Sequence, residues 1–160
     1  MHFWANSKGG VTLFSPMQEL LESLTKEERE EWEKLHFVSD SVAHPLIYPH
    51  PVTGNPAMTF HCGKPFHRTF AKNYNPKTGE AEETYDARRT AEMIHTIQKK
   101  LEHPDRCLAI DWDEGDFGIL DNLAMAHFAS PDTQNSVEEA GLRIMHRTSV
   151  GGDRRPEKVR

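Results

Sequence analysis

Apolar residues recur along this chain at two spacings, and the change from one to the other predicts where helix gives way to strand. His2 to Asn6 reads as a short strand, Gly9-Gly10 as a turn, and Val11 to Phe14 as a second strand. Ser15 followed by Pro16 and Gln18 reads as a helix start, with Ser at the cap, Pro at the first helical position and Gln at the capping-box position. Thr25 and Glu28 repeat that logic, so helices are expected over 16–24 and 26–35, burying Leu20, Leu21, Leu24, Trp32 and Leu35.

From residue 36 the pattern is extended. His36 to Val38, Pro45 to Tyr48 and Ala57 to His61 read as strands, with a Pro-, Gly- and Asn-rich turn over 51–56. Residues 62–84 carry glycine, proline and charge without periodicity, and are expected to form a long surface loop of the kind that often serves as a lid. A helix is predicted from Asp86 to Leu101, with Ala87, Ala91, Ile94 and Leu101 as its apolar stripe. Strands follow at Cys107–Trp112, at Phe117–Leu120 beyond a turn at 113–116, at Ala124–Phe128 and at Leu142–Val150. Strands with helices grouped in insertions predict one α+β domain over 1–160, with a sandwich or jelly-roll core.

Composition narrows the function classes. Hydrophobic residues make up 36% and charged residues 28% of 160, enough for a single core. No apolar run approaches the roughly 18–20 residues that span a bilayer, and no signal peptide is visible, so a cytoplasmic protein without a membrane partner is expected. Cys62 and Cys107 have no CxxC partner, which argues against a disulfide framework or structural zinc. A net charge of −6 gives nucleic acid no electrostatic support, and the basic ending from Arg154 to Arg160 reads as a solvated tail. Ten histidines make a histidine-ligated metal worth seeking.

The chemistry concentrates near the C-terminal end. In a strand Arg143, Met145 and Arg147 share one face, and two guanidinium groups on the inner face of a barrel each require an anion. The planar guanidinium fork grips carboxylates and sulfonates, so this reads as a β-walled pocket for an acidic small molecule beside a histidine. Elsewhere the bland readings win. His61 and His67 around Cys62 belong to a loop, His44, His50 and His146 to packing or turns, and Asp121-Asn122 to the turn before the next strand. His103-Pro104-Asp105 is a helix stop.

Three segments in order carry a resemblance to a known family. Gly9-Gly10-Val11-Thr12-Leu13-Phe14, then His44-Pro45-Leu46-Ile47 with His50-Pro51-Val52-Thr53-Gly54, then Gly115-Asp116 to Asp121-Asn122, His127 and Arg143-Ile144-Met145-His146-Arg147 resemble the taurine dioxygenase (TauD/TfdA) family. The resemblance implies a double-stranded β-helix that binds Fe(II), with 2-oxoglutarate as co-substrate. By position, His127 would be the distal histidine of a 2-His-1-carboxylate iron site. Arg143 would pair with the far carboxylate of 2-oxoglutarate, Thr12 would hydrogen-bond the same co-substrate, and Arg147 would face an anionic primary substrate. The implied reaction consumes dioxygen and 2-oxoglutarate, giving succinate and carbon dioxide while hydroxylating a C–H bond. One departure stands out: the family's His-x-Asp pair precedes the Gly-Gly-x-Thr segment, and residues 1–8 contain none. An N-terminally incomplete dioxygenase is therefore expected, against two alternatives. One is a non-catalytic jelly-roll module that binds small anions; the other is an interaction protein that covers open strand edges as a homo-oligomer.

Overall fold

The computed structural model describes residues 11–39, 42–63, 68–130, 136, 138, 146–152, 154 and 156–158. Nine strands and three helices lie among them, in three sheets. The first strand, β1 (Thr12–Pro16), is the centre of a three-stranded antiparallel sheet between β8 (Leu108–Ile110) and β9 (Met125–Ala129). A four-stranded sheet has the order β3 (Val42–Pro45), β2 (Leu35–Ser39), β6 (Arg68–Lys72), β7 (Glu83–Thr84). The third sheet is the pair β4 (Ile47–Pro49) and β5 (Pro56–Met58). This mixture of sheets and helices is the expected α+β class.

The helix start at Ser15-Pro16 is displaced. Ser15 stays in β1 opposite Ala126, fully buried, and Pro16 pairs with Met125 and caps α1 (Met17–Glu22) without a side-chain hydrogen bond. Pairing with β9 thus overrides a local capping signal. The second start is as expected: Thr25 accepts from the Glu28 amide while Glu28 reaches back to the Thr25 amide, opening α2 (Lys26–Glu33). Leu35, expected on that helix, instead begins β2, although it is buried as anticipated.

Three further expectations need correction. The strand over 45–48 is two strands in different sheets, broken at Leu46, whose amide bonds the Leu35 carbonyl and whose carbonyl takes the Thr59 amide. The expected loop over 62–84 contains β6, whose Phe70 is fully buried between Phe37 and Tyr85. Strand pairing with β2 and β7, rather than local periodicity, makes that segment extended. The stripe of α3 (Ala87–Leu101) runs through Thr90, Ile97 and Leu101, leaving Ala87 and Ala91 exposed, because its packing face is rotated from the one read off the alanines. Phe117–Leu120 is exposed and forms no strand, and neither do residues 146–150. Residues 2–6, Gly9-Gly10 and 142–145 lie outside the described residues.

One apolar core joins these layers. Leu20 and Leu21 of α1, Trp32 of α2, Phe37 and Phe70 of the larger sheet, Ile47 and Met58 of the pair, and Ile97 and Leu101 of α3 pack together with Ala126 of β9. Each fully buried aliphatic or aromatic side chain contributes about 1.5–3 kcal/mol. The residue below the sheet that presents His127 is thus part of the main core.

Candidate functional site

In an antiparallel ladder, directly opposed residues share a face, and so do residues two apart. Thr12 lies opposite Ile110 and Ala129, and Phe14 opposite Leu108 and His127. Thr12, Phe14 and His127 therefore stand on one face of the three-stranded sheet, while Ser15 and Ala126 turn to the other, which is buried. The face is walled by aromatic rings. Phe14 lies 6.2 Å from the His127 ring and 6.4 Å, edge-on, from Trp112. Trp112 donates its indole N–H to the Thr12 hydroxyl at 2.8 Å.

His127 itself is exposed on that face, yet its surroundings hold its pKa below the ordinary histidine value. Partial burial is the larger cause and the positive charge of Arg147 the second. Both favour the neutral imidazole, the form that ligates a metal. Arg147 is exposed and lies in no strand, unlike the inward-facing strand position expected of it, and its charge acts on the imidazole. Thr12 and His127 thus share one sheet face, with the Arg147 charge acting on the imidazole; Arg143 lies outside the described residues.

Could the residues present hold iron? Among the described residues no group of three His, Cys, Asp or Glu side chains is arranged to bind a metal ion. His127 is a single ligand, and one imidazole does not make a facial triad. The chain's described residues therefore do not fit iron as a complete site. His103 and Asp105 are an exposed pair at the end of α3, where the His103 carbonyl accepts from the Arg106 and Cys107 amides, as a helix stop does. His61 accepts from the Gly63 amide within its own loop, and His67 lies outside the described residues. Cys62 and Cys107 are both unbonded thiols.

Two features escaped the sequence reading. Trp112 follows Ile110 by two residues, which is the strand-face signal that places it beside Thr12. The second is a contact between the two polar motifs that precede and follow the core strands. His50, buried in the turn between β4 and β5, lies 3.0 Å through Nε2 from Asp121 Oδ2. Nearby, the Tyr48 hydroxyl is pushed up in pKa, chiefly by burial; a hydrogen bond to Thr59 opposes this and the Asp121 charge adds to it. A separate open cleft of about 460 Å³, lined in part by Arg29, Glu33, Tyr48 and Lys158, includes none of Thr12, His127 or Arg147.

Comparison with known proteins places this geometry. Residues 4–149 match the family described as taurine catabolism dioxygenase TauD, TfdA. The 3-((Z)-2-isocyanoethenyl)-1H-indole synthase of Fischerella ambigua is 30% identical over 137 residues, which is 80% of this chain and 49% of that protein. PvcB of Pseudomonas aeruginosa, an Fe, alpha-ketoglutarate dependent oxygenase from an isonitrile synthetic pathway, is 25% identical with a TM-score of 0.55, covering 80% of this chain and 46% of its own. AAD-2, solved with Mn(II) and N-oxalylglycine, shares the fold at a TM-score of 0.62 and 15% identity, over 98% of this chain and 64% of its own. The chain spans about half the length of the curated relatives it matches.

Proposed function

From the premise that this chain belongs to the taurine catabolism dioxygenase TauD, TfdA family and is similar to PvcB, an Fe, alpha-ketoglutarate dependent oxygenase, we propose that it forms the C-terminal part of such an oxygenase on a double-stranded β-helix. The observation that carries this reading is the register that sets Thr12 and His127 on one sheet face, with the Arg147 charge on the imidazole. His127 would be one iron ligand, Thr12 a hydrogen-bonding residue for 2-oxoglutarate, Arg143 the partner of its far carboxylate, and Arg147 the contact for an anionic substrate. Iron held there with further ligands would couple the decarboxylation of 2-oxoglutarate by dioxygen to oxidation of a C–H bond, one oxygen atom entering succinate. The residues named here bind, orient and exclude water. Iron needs ligands beyond His127, and a His-x-Asp segment of the family type would supply them.

The substrate class follows from charge and kinship together. Arg147 favours a carboxylate or sulfonate, and two of the relatives are named for isonitrile chemistry. An isonitrile-bearing amino-acid carboxylate is therefore the first substrate to offer, with taurine as the comparison. The test is succinate formation from 2-oxoglutarate with Fe(II) present. The 160-residue chain is expected to give background turnover, and a form extended by a His-x-Asp segment ahead of Thr12 to give turnover that His127→Ala abolishes. Absence of succinate from the extended form would sink the reading.

One observation favours a second reading. Among the described residues no three His, Cys, Asp or Glu side chains are grouped to hold a metal ion, which is compatible with a non-catalytic module that keeps the anion pocket. Such a module binds 2-oxoglutarate or a sulfonate in calorimetry without metal, and loses that binding on Arg143→Ala.

A further inference from the structure

We propose that Asp121 is a positioning residue for His127, holding the start of β9 through its contact with the buried imidazole of His50. Only the functional importance of His127 rests on the reading above; the contact does not.

The argument starts at His50. Its residue is 6% exposed, and its Nδ1 accepts from the amides of Val52 at 3.3 Å and Thr53 at 3.2 Å. An Nδ1 that accepts leaves the ring proton of a neutral imidazole on Nε2, and Nε2 is the atom 3.0 Å from Asp121 Oδ2. The carboxylate meets it off the N–H axis, as a close electrostatic contact rather than a linear hydrogen bond. The turn behind His50 is itself fixed. Its amide donates to the Asn55 carbonyl at 2.7 Å, its carbonyl accepts from Gly54 at 2.9 Å, and Gly54 takes the left-handed conformation, φ 74°, that closes the turn.

Asp121 is tied equally firmly to β9. Its Oδ1 accepts from the Leu123 amide at 2.9 Å, and its carbonyl accepts from the amides of Ala124 at 3.2 Å and Met125 at 2.9 Å. Met125 opens β9, and His127 is two residues further along the same face. The ladder with β1 is closed just before this strand by the Met17 amide, which donates to the Ala124 carbonyl at 3.0 Å, so the segment that Asp121 holds leads directly into the paired residues. One carboxylate therefore bridges the β4–β5 pair to the start of a strand in another sheet. The two ends of this bridge are the turn motif at 50–54 and the Asp-Asn motif, which the fold brings together.

The experiment uses the 160-residue chain without metal, so failure of the iron chemistry and failure of this proposal are separable. Asp121→Asn keeps an oxygen for the Leu123 amide and removes the charge; His50→Gln removes the imidazole. Amide exchange along β9 and the ring resonances of His127 are followed in both single variants and in the double variant. Each single variant is expected to speed β9 exchange about tenfold, the scale of one lost charge-assisted contact, and to move the His127 ring resonances. The double variant goes no further, and Asp121→Glu restores part of the protection. The amides of β2 and β6 keep their protection throughout. Unchanged His127 resonances, additive effects in the double variant, or equal loss of protection in β2 and β6 would each overturn the proposal.

Discussion

Trp112 donates its indole N–H to the Thr12 hydroxyl at 2.8 Å, so the side chain expected to meet a co-substrate is already held by an aromatic two residues beyond the end of the neighbouring strand. Thr12→Val removes the acceptor and Trp112→Phe the donor. Each is expected to destabilise the fold by about 1 kcal/mol through this contact, beyond any packing loss. Because both delete one bond, the double variant should show a coupling of about the same size in urea unfolding. Strict additivity would mean that the bond contributes nothing.

Gly118 tests the same contact from the outside. A Cβ at this position would stand 2.9 Å from Cη2 and 3.4 Å from Cζ3 of Trp112, so Gly118→Ala must push the tip of the indole aside. The expected result is a shift in tryptophan emission and a smaller Thr12–Trp112 coupling. Gly151→Ala, where nothing lies within 4 Å, should leave both unchanged. Identical emission from the two alanine variants would show that the ring is not seated against Gly118.

How much of this was legible beforehand depends on what fixed each element. The capping box at Thr25, the helix capped by Asp86 and the strand carrying His127 were readable because local signals and tertiary pairing agree there. Arg68–Lys72 was not, because nothing local marks it as a strand; β2 on one side and β7 on the other make it one. Ser15-Pro16 failed in the opposite sense, since a good capping sequence lost to the β9 ladder. At the site, Thr12 and His127 were found by their place in family motifs, and the register put them together. The Trp112–Thr12 bond and the His50–Asp121 contact join residues far apart in the chain. Alone, Thr12 reads as a co-substrate contact, Trp112 as a strand residue, and His50 and Asp121 as turn or packing residues; only the fold makes the pairs.

The buried His36 makes acid stability predictable. It is 7% exposed, with the Tyr74 ring 5.6 Å away, and its pKa is lowered from 6.5 to about 4, first by burial and then by the charges of Lys158 and His44. The unfolded chain binds a proton at His36 below about 6.5, while the folded chain resists until about 4. Stability therefore falls as pH drops through that window and levels off beneath it, by an amount on the order of 3 kcal/mol. His36→Phe should flatten this part of the profile in urea unfolding measured across the window. His61 and His127, also depressed, contribute to both proteins and cancel in the difference. Equal slopes for the two proteins would refute the assignment to His36.

Arg147 provides the most direct check on the site itself. Its charge disfavours a proton on His127, in addition to the effect of burial. In Arg147→Ala the imidazole should therefore titrate at a higher pH than in the parent chain, followed by the ring-proton resonances of His127. Burial remains, so the value should still fall short of an ordinary histidine. Raised ionic strength should shrink the gap between parent and variant, because an exposed guanidinium is screened within about 8–10 Å at physiological salt. Arg154→Ala serves as the control, since that guanidinium is bound to the Pro51 carbonyl. If His127 titrates identically with and without Arg147, the two side chains do not share a field. The anion-binding half of the site would then have to be sought elsewhere in the chain.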